Sequence, residues 1–167
     1  MVPMVMLRTA ILLTACLGAV ACTTTPLDTS RVDSRATPAG IVAAMPGEQG
    51  ARVRWGGRIV AITNQEQSTL IEMLSYPLAR DGLPNTLRKP TGRFVLRRDG
   101  FLEPLDHAPG RLLTVVGTVR SLTRVAVGET ELVVPLVSAE QLKLWDDRYQ
   151  RRTRPRFGFG VGINVGF

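Results

Sequence analysis

Arg111-Leu112-Leu113-Thr114-Val115-Val116-Gly117-Thr118-Val119-Arg120 is the densest strand signal in the chain. It is rich in β-branched and apolar residues on both parities, as expected of a central strand covered on both faces. Outward from it, Arg52-Val53-Arg54-Trp55-Gly56-Gly57-Arg58-Ile59-Val60-Ala61-Ile62-Thr63 alternates. Val53, Trp55, Ile59 and Ala61 fall on one parity and Arg54 and Arg58 on the other, which predicts a strand with one buried face. Gly56-Gly57 in its middle predicts a bulge or sharp bend. Thr69 to Tyr76 follows the polar turn Asn64 to Ser68 and reads as a second strand on its hairpin-like spacing.

The stretch from Pro77 to Pro90 is rich in Pro, Gly and Asn and reads as a long loop. Gly92 to Arg97 is a further strand, closed by the Asp99-Gly100 turn, and a second loop runs through Pro109-Gly110. After the central strand, Leu122 to Val127, the Gly128-Glu129 turn and Thr130 to Val137 predict a hairpin, with Pro135 placing its last strand at an edge or a break. Ser138 to Trp145 closes the domain as a short strand or turn, with Trp145 plugging one end. The fold class is therefore all-β: a small five- to six-stranded OB-like barrel, preceded by a cleaved signal peptide and an extended tether.

The N-terminal segment decides the compartment. Arg8 precedes a short run of apolar and small residues without charge, and small residues then abut a cysteine, which is the pattern of a secretory signal peptide. The run is shorter than the roughly 20 residues that a membrane span needs. Ala19-Val20-Ala21-Cys22 suits lipoprotein processing, in which the thiol is acylated and the chain is cut ahead of it. Cys16, after Leu13-Thr14-Ala15, is the alternative, with the better local lipobox. Cutting there leaves an apolar core below the usual range of about 7 to 15 residues, so Cys22 is favoured. Thr23 after Cys22 favours sorting to the outer membrane of a Gram-negative bacterium, with the domain facing the periplasm.

The boundaries that follow are residues 1–21 for the signal peptide, 22–50 for the acylated N-terminus and tether, and 51–147 for the β-domain. A basic linker takes residues 148–156 and a glycine-rich alternating tail 157–167. Within the tether, Ile41-Val42-Ala43-Ala44-Met45 is apolar enough to dock on the domain. The 167 residues carry a formal charge of +7. In an exported protein this points to anionic lipid or acidic faces of envelope proteins, not to nucleic acid. With one cysteine in the signal and one in the anchor, no disulfide framework is expected.

Taken together, Val53-Arg54-Trp55-Gly56-Gly57-Arg58-Ile59, Asn64, Thr69 with Glu72, Tyr76-Pro77-Leu78, Gly82 with Pro84, and Gly92-Arg93-Phe94 carry a family resemblance. Gly100-Phe101-Leu102-Glu103-Pro104, Thr114-Val115-Val116-Gly117, Gly128-Glu129, Val134-Pro135-Leu136-Val137 and Leu144-Trp145 continue it in order. The series from Cys22 to Trp145 resembles the Slp family of outer-membrane lipoproteins. The resemblance implies a lipid-anchored outer-membrane protein of small β-barrel type, associated in some members with starvation or stationary phase.

Catalysis is not expected. His107 is the single histidine, and no thiolate or second imidazole stands near it to build a metal site. No Gly-x-Ser-x-Gly elbow occurs. Glu72 and Glu103 read as isolated polar-face or turn residues rather than a glycosidase pair. No cofactor is expected beyond the covalent lipid on Cys22.

Trp55, Gly56 and Gly57 have two readings, packing at a bend or a groove for sugar or lipid. Arg151, Arg152, Arg154 and Arg156 read either as a solvated linker or as contacts to anionic lipid. From Phe157 to Phe167 every odd position is apolar and every even one is Gly or Asn. That alternation suits a strand in which Phe157, Phe159 and Phe167 pair with a sheet edge, in the domain itself or in an outer-membrane barrel protein or other envelope component. A glycine-rich end is the alternative. The function expected is a non-enzymatic envelope or stress-adaptation role, with an adaptor for barrel proteins or a glycan- or lipid-binding module as the other readings.

Overall fold

The computed structural model describes residues 26–33, 35–146 and 149. Five strands carry the domain: β1 (Arg52–Asn64), β2 (Ser68–Ser75), β3 (Gly92–Asp99), β4 (Leu112–Val127) and β5 (Thr130–Leu144). They pair in the order β1-β2-β3-β5-β4, and β4 pairs back onto β1, so the ladder closes on itself. All neighbours are antiparallel except β3 and β5, which run parallel from Val95↔Leu136 to Arg97↔Ser138.

The expected OB-like barrel of five or six short strands behind an extended tether is corrected by this arrangement. The sheet is mixed and has five strands, and two of them absorb pieces expected to be separate. Leu122 to Val127 continues β4, and Ser138 to Leu144 continues β5. Register shifts between Val116 and Gly117 and between Val119 and Ser121 let these long strands bend without breaking. The tether is not extended either. It contains α1 (Pro38–Ala44), whose N-cap Thr37 accepts a hydrogen bond from the Gly40 amide at 3.1 Å, with Pro38 in the first turn where its missing N–H costs nothing.

The bend expected at Gly56-Gly57 falls slightly later. Register shifts between Ile59 and Ala61, which reverses the parity of the rest of β1. Ala61 is therefore exposed, and Ile62 packs against the core in its place. The glycines serve close approach: a Cβ on Gly57 would lie 2.0 Å from the Leu74 carbonyl oxygen.

Val53, Trp55, Ile59, Ile71, Met73, Phe94, Leu96, Leu113, Val115, Val119 and Val137 fill the interior, and Ile41 of α1 is buried among them. Full burial of a side chain of that size contributes roughly 1.5–3 kcal/mol. Trp55 meets the Phe94 ring edge-on with centroids 5.1 Å apart. The loop between β2 and β3 folds over the outside of the sheet. There Thr114 donates to the Gly82 carbonyl at 2.8 Å and accepts from the Trp145 indole at 2.9 Å. Both faces of the central strand are thus covered.

Candidate functional site

A cleft of about 590 Å³ opens between the segment around Thr29 to Thr37, β1 at Arg54 and Trp55, and the chain from Ser75 to Arg80. Among the described residues that line it are two arginines, Arg54 and Arg80, and no carboxylate. Hydroxyl groups of Thr29 and Tyr76 and an apolar wall of Val32, Pro77 and Leu78 complete it. Arg54 lies on the outward parity of β1, and the β2–β3 loop covers it. Its guanidinium occupies the space that a Cβ on Gly82 would need, 2.1 Å from one terminal nitrogen. Gly82 has φ of 86°, a conformation glycine adopts without strain.

The Nε of Arg54 is shielded from solvent and has no hydrogen-bond partner. Leaving a buried donor unmatched costs about 1–3 kcal/mol, and more when it is charged. The Nε of Arg111 is shielded in the same way, but a terminal nitrogen of that guanidinium donates to the Trp145 carbonyl at 3.4 Å. Arg93 pairs with Glu72, and Arg58 donates to the Gly110 carbonyl at 2.9 Å.

A second feature straps the N-terminal segment to the sheet. Arg52 pairs with Glu140 at 2.9 Å and with Asp28 at 3.4 Å, and it also donates to the Ser30 carbonyl. The Asp28 amide donates to Gln141 Oε1 at 2.7 Å, and Asp33 forms a parallel bridge with Val53. Hydrogen bonds from the Ser30 amide and hydroxyl hold the Asp28 carboxyl below its usual range, and Arg52 adds to this. Glu140 is lowered by the Thr118 hydroxyl and then by Arg52. Arg52 is raised in turn, chiefly by Glu140. Next to the strap, Pro26 and Leu27 share a groove with Arg98, Leu102, His107 and Leu142.

Of the expected groove residues, Trp55 lines the cleft, and Gly56 and Gly57 do not. Trp55 is 4% exposed, and its indole N–H donates to the Ala36 carbonyl at 2.7 Å. A Cβ on Gly56 would lie 2.7 Å from Thr114 Oγ1 and 2.8 Å from Leu78 Cδ2, so this chain's own side chains fill the space beside it. His107 stands in the β3–β4 loop, 3.1 Å from the Glu103 carbonyl. Cys16, Cys22, Arg151, Arg152, Arg154, Arg156, Phe157, Phe159 and Phe167 lie outside the described residues. Sequence reasoning passed over Arg54 and Arg80. Arginine on the polar parity of a strand looks solvated, and only the fold-back of a distant loop distinguishes Arg54.

The model of the outer membrane lipoprotein Slp family matches residues 19–161. The chain is 34% identical over 97 residues to the uncharacterized lipoprotein YeaY of Escherichia coli K12, covering 58% of this chain and 49% of that protein. It is 30% identical over 71 residues to the outer membrane protein Slp of the same organism, covering 42% and 37%. An uncharacterized protein of Haemophilus influenzae is 31% identical over 94 residues, covering 56% and 51%. The matched regions thus span about half or less of each relative. The chain belongs to the outer membrane lipoprotein Slp family and is a lipid-anchored protein of the Gram-negative outer membrane.

Proposed function

We propose that this protein is a non-enzymatic envelope lipoprotein, acylated at Cys22, whose β-domain lies close against the periplasmic leaflet of the outer membrane in an envelope-integrity or stress-adaptation role. The observation that carries the reading is the family match, which begins just ahead of Cys22. The strap supports the close approach. Only Cys22 to Thr25 precede Pro26, and four residues reach at most about 14 Å when fully extended. From Asp28 onward the segment is tied to β1 and β5.

The β3–β4 loop fits the same picture. Phe101 and Leu105 are 68% and 82% exposed, on a loop whose Leu102 and His107 share the groove with Pro26 and Leu27. Thr69 donates to the Gly100 carbonyl at 2.8 Å and Asn64 to the Leu102 carbonyl at 3.1 Å, which fixes the base of the loop. Two apolar tips beside an acyl anchor give the domain a second, weaker hold on lipid.

The test is the mass of the mature N-terminal peptide from density-separated membranes, for wild type and Cys22→Ser. A triacylated Cys22 peptide in the outer-membrane fraction, absent from the variant, is expected. An unmodified terminus in the soluble fraction would overturn the reading.

A further inference from the structure

We propose that the cleft beside Arg54 binds a phosphate group carried on a partly apolar small molecule or lipid, with Arg54 as the principal contact and Arg80 as the second. The cleft of about 590 Å³ lies within the range of small-molecule sites, roughly 300–1,000 Å³, and exceeds what a bare phosphate needs. Its charge is of one sign: two arginines and no carboxylate line it among the described residues.

Arg54 is the distinguishing feature. Its Nε is withdrawn from water without a hydrogen-bond partner, and among the described residues no ion pair matches its guanidinium. Arg52 and Arg93, by contrast, are matched by carboxylates. The position is also built. Gly82 leaves room for the guanidinium, and the bond from Thr114 to the Gly82 carbonyl holds that loop in place. A planar, preorganised fork of donors suits the oxygens of phosphate. The Tyr76 hydroxyl adds a neutral polar group, and Pro77 and Leu78 give the apolar part of the ligand a wall.

The site does not depend on the anchor, so its failure and that of the lipoprotein reading are separable. The experiment uses the mature protein in detergent and follows its thermal midpoint with sn-glycerol 3-phosphate, sodium chloride holding ionic strength constant. In parallel, the Cys22→Ser full chain is sedimented with vesicles of phosphatidylglycerol or of phosphatidylcholine. A saturable rise in the midpoint places the phosphate on a soluble ligand, and selective sedimentation with phosphatidylglycerol places it on a lipid.

In whichever arm responds, Arg54→Met, which keeps the packing on Gly82, is expected to weaken binding at least about tenfold. Arg80→Gln, at an exposed position, is expected to weaken it less, and it provides the readout should Arg54→Met fold poorly. No response in either arm overturns the proposal. So does a response that is the same in wild type, Arg54→Met and Arg80→Gln, since that is a general effect of salt or surface charge.

Discussion

The indole of Trp145 donates to Thr114 Oγ1 at 2.9 Å, and the same hydroxyl donates onward to the Gly82 carbonyl at 2.8 Å. One buried hydroxyl thus ties the end of β5 and the β2–β3 loop to the outer face of β4. Thr114→Val keeps the shape and removes both bonds, leaving a buried N–H and a buried carbonyl unmatched. A loss of about 2 kcal/mol is expected in urea unfolding, with earlier proteolysis in the loop from Pro77 to Pro90. Thr114→Ser should recover most of it. A Thr114→Val variant as stable as wild type would show that the hydroxyl carries no such role.

Gly57 and Gly100 separate steric closure from backbone freedom. A Cβ on Gly57 meets the Leu74 carbonyl oxygen at 2.0 Å, where Gly57 pairs with Ser75 in the β1–β2 ladder and the obstacle is backbone. Gly57→Ala is expected to cost more than about 3 kcal/mol or to prevent folding. Gly100 has φ of 84° and open space around it, so Gly100→Ala carries only the strain of its left-handed conformation, about 1 kcal/mol. Thermal denaturation of the two variants checks the ranking.

The strap on the N-terminal segment should release in acid. Asp28 is held below its ordinary range by Ser30 and then by Arg52, and Glu140 by Thr118 and then by Arg52. A carboxyl whose folded value is depressed contributes stability that is fully present above its unfolded value, about 4 to 4.5, and is lost as pH falls through the folded value. Arg52 is raised and stays charged throughout. Protease access to residues 26–33 is therefore expected to be unchanged from pH 7 to about 5 and to rise below about 4. Asp28→Asn with Glu140→Gln should show the acid level of access already at pH 7.

Particular residues show what sequence could reveal. Val53, Trp55 and Ile59 alternate because one face of β1 is buried, and all three are core. Val115 and Val116 are apolar on both parities because the interior covers one face of β4 and Trp145 with the β2–β3 loop covers the other. The continuation of β4 past Arg120 and of β5 past Ser138 was not legible, because a one-residue register shift leaves no compositional trace. The docking of Ile41 was anticipated from its apolar run, but seven residues are too few for a helical period to declare itself. Arg54 remained hidden because its neighbour Gly82 is distant in sequence. Nothing near Arg54 signals that a loop will close over it.

Phe101 and Leu105 bear on how the domain meets the membrane. Both are exposed, so Phe101→Ser with Leu105→Ser should leave the unfolding free energy within about 0.5 kcal/mol of wild type. Acylation at Cys22 does not involve them, and outer-membrane fractionation should be unchanged. The difference is expected once the acyl chains are removed. In the Cys22→Ser full chain with vesicles of phosphatidylcholine, where the acyl chains no longer mask the loop, inserting one phenylalanine and one leucine side chain part way into lipid is worth about 1–2 kcal/mol each. Sedimentation with vesicles should therefore weaken roughly tenfold or more when both residues are changed. Equal sedimentation with and without Phe101 and Leu105 would mean that the acyl anchor alone holds the domain, with the β3–β4 loop pointing away from the bilayer.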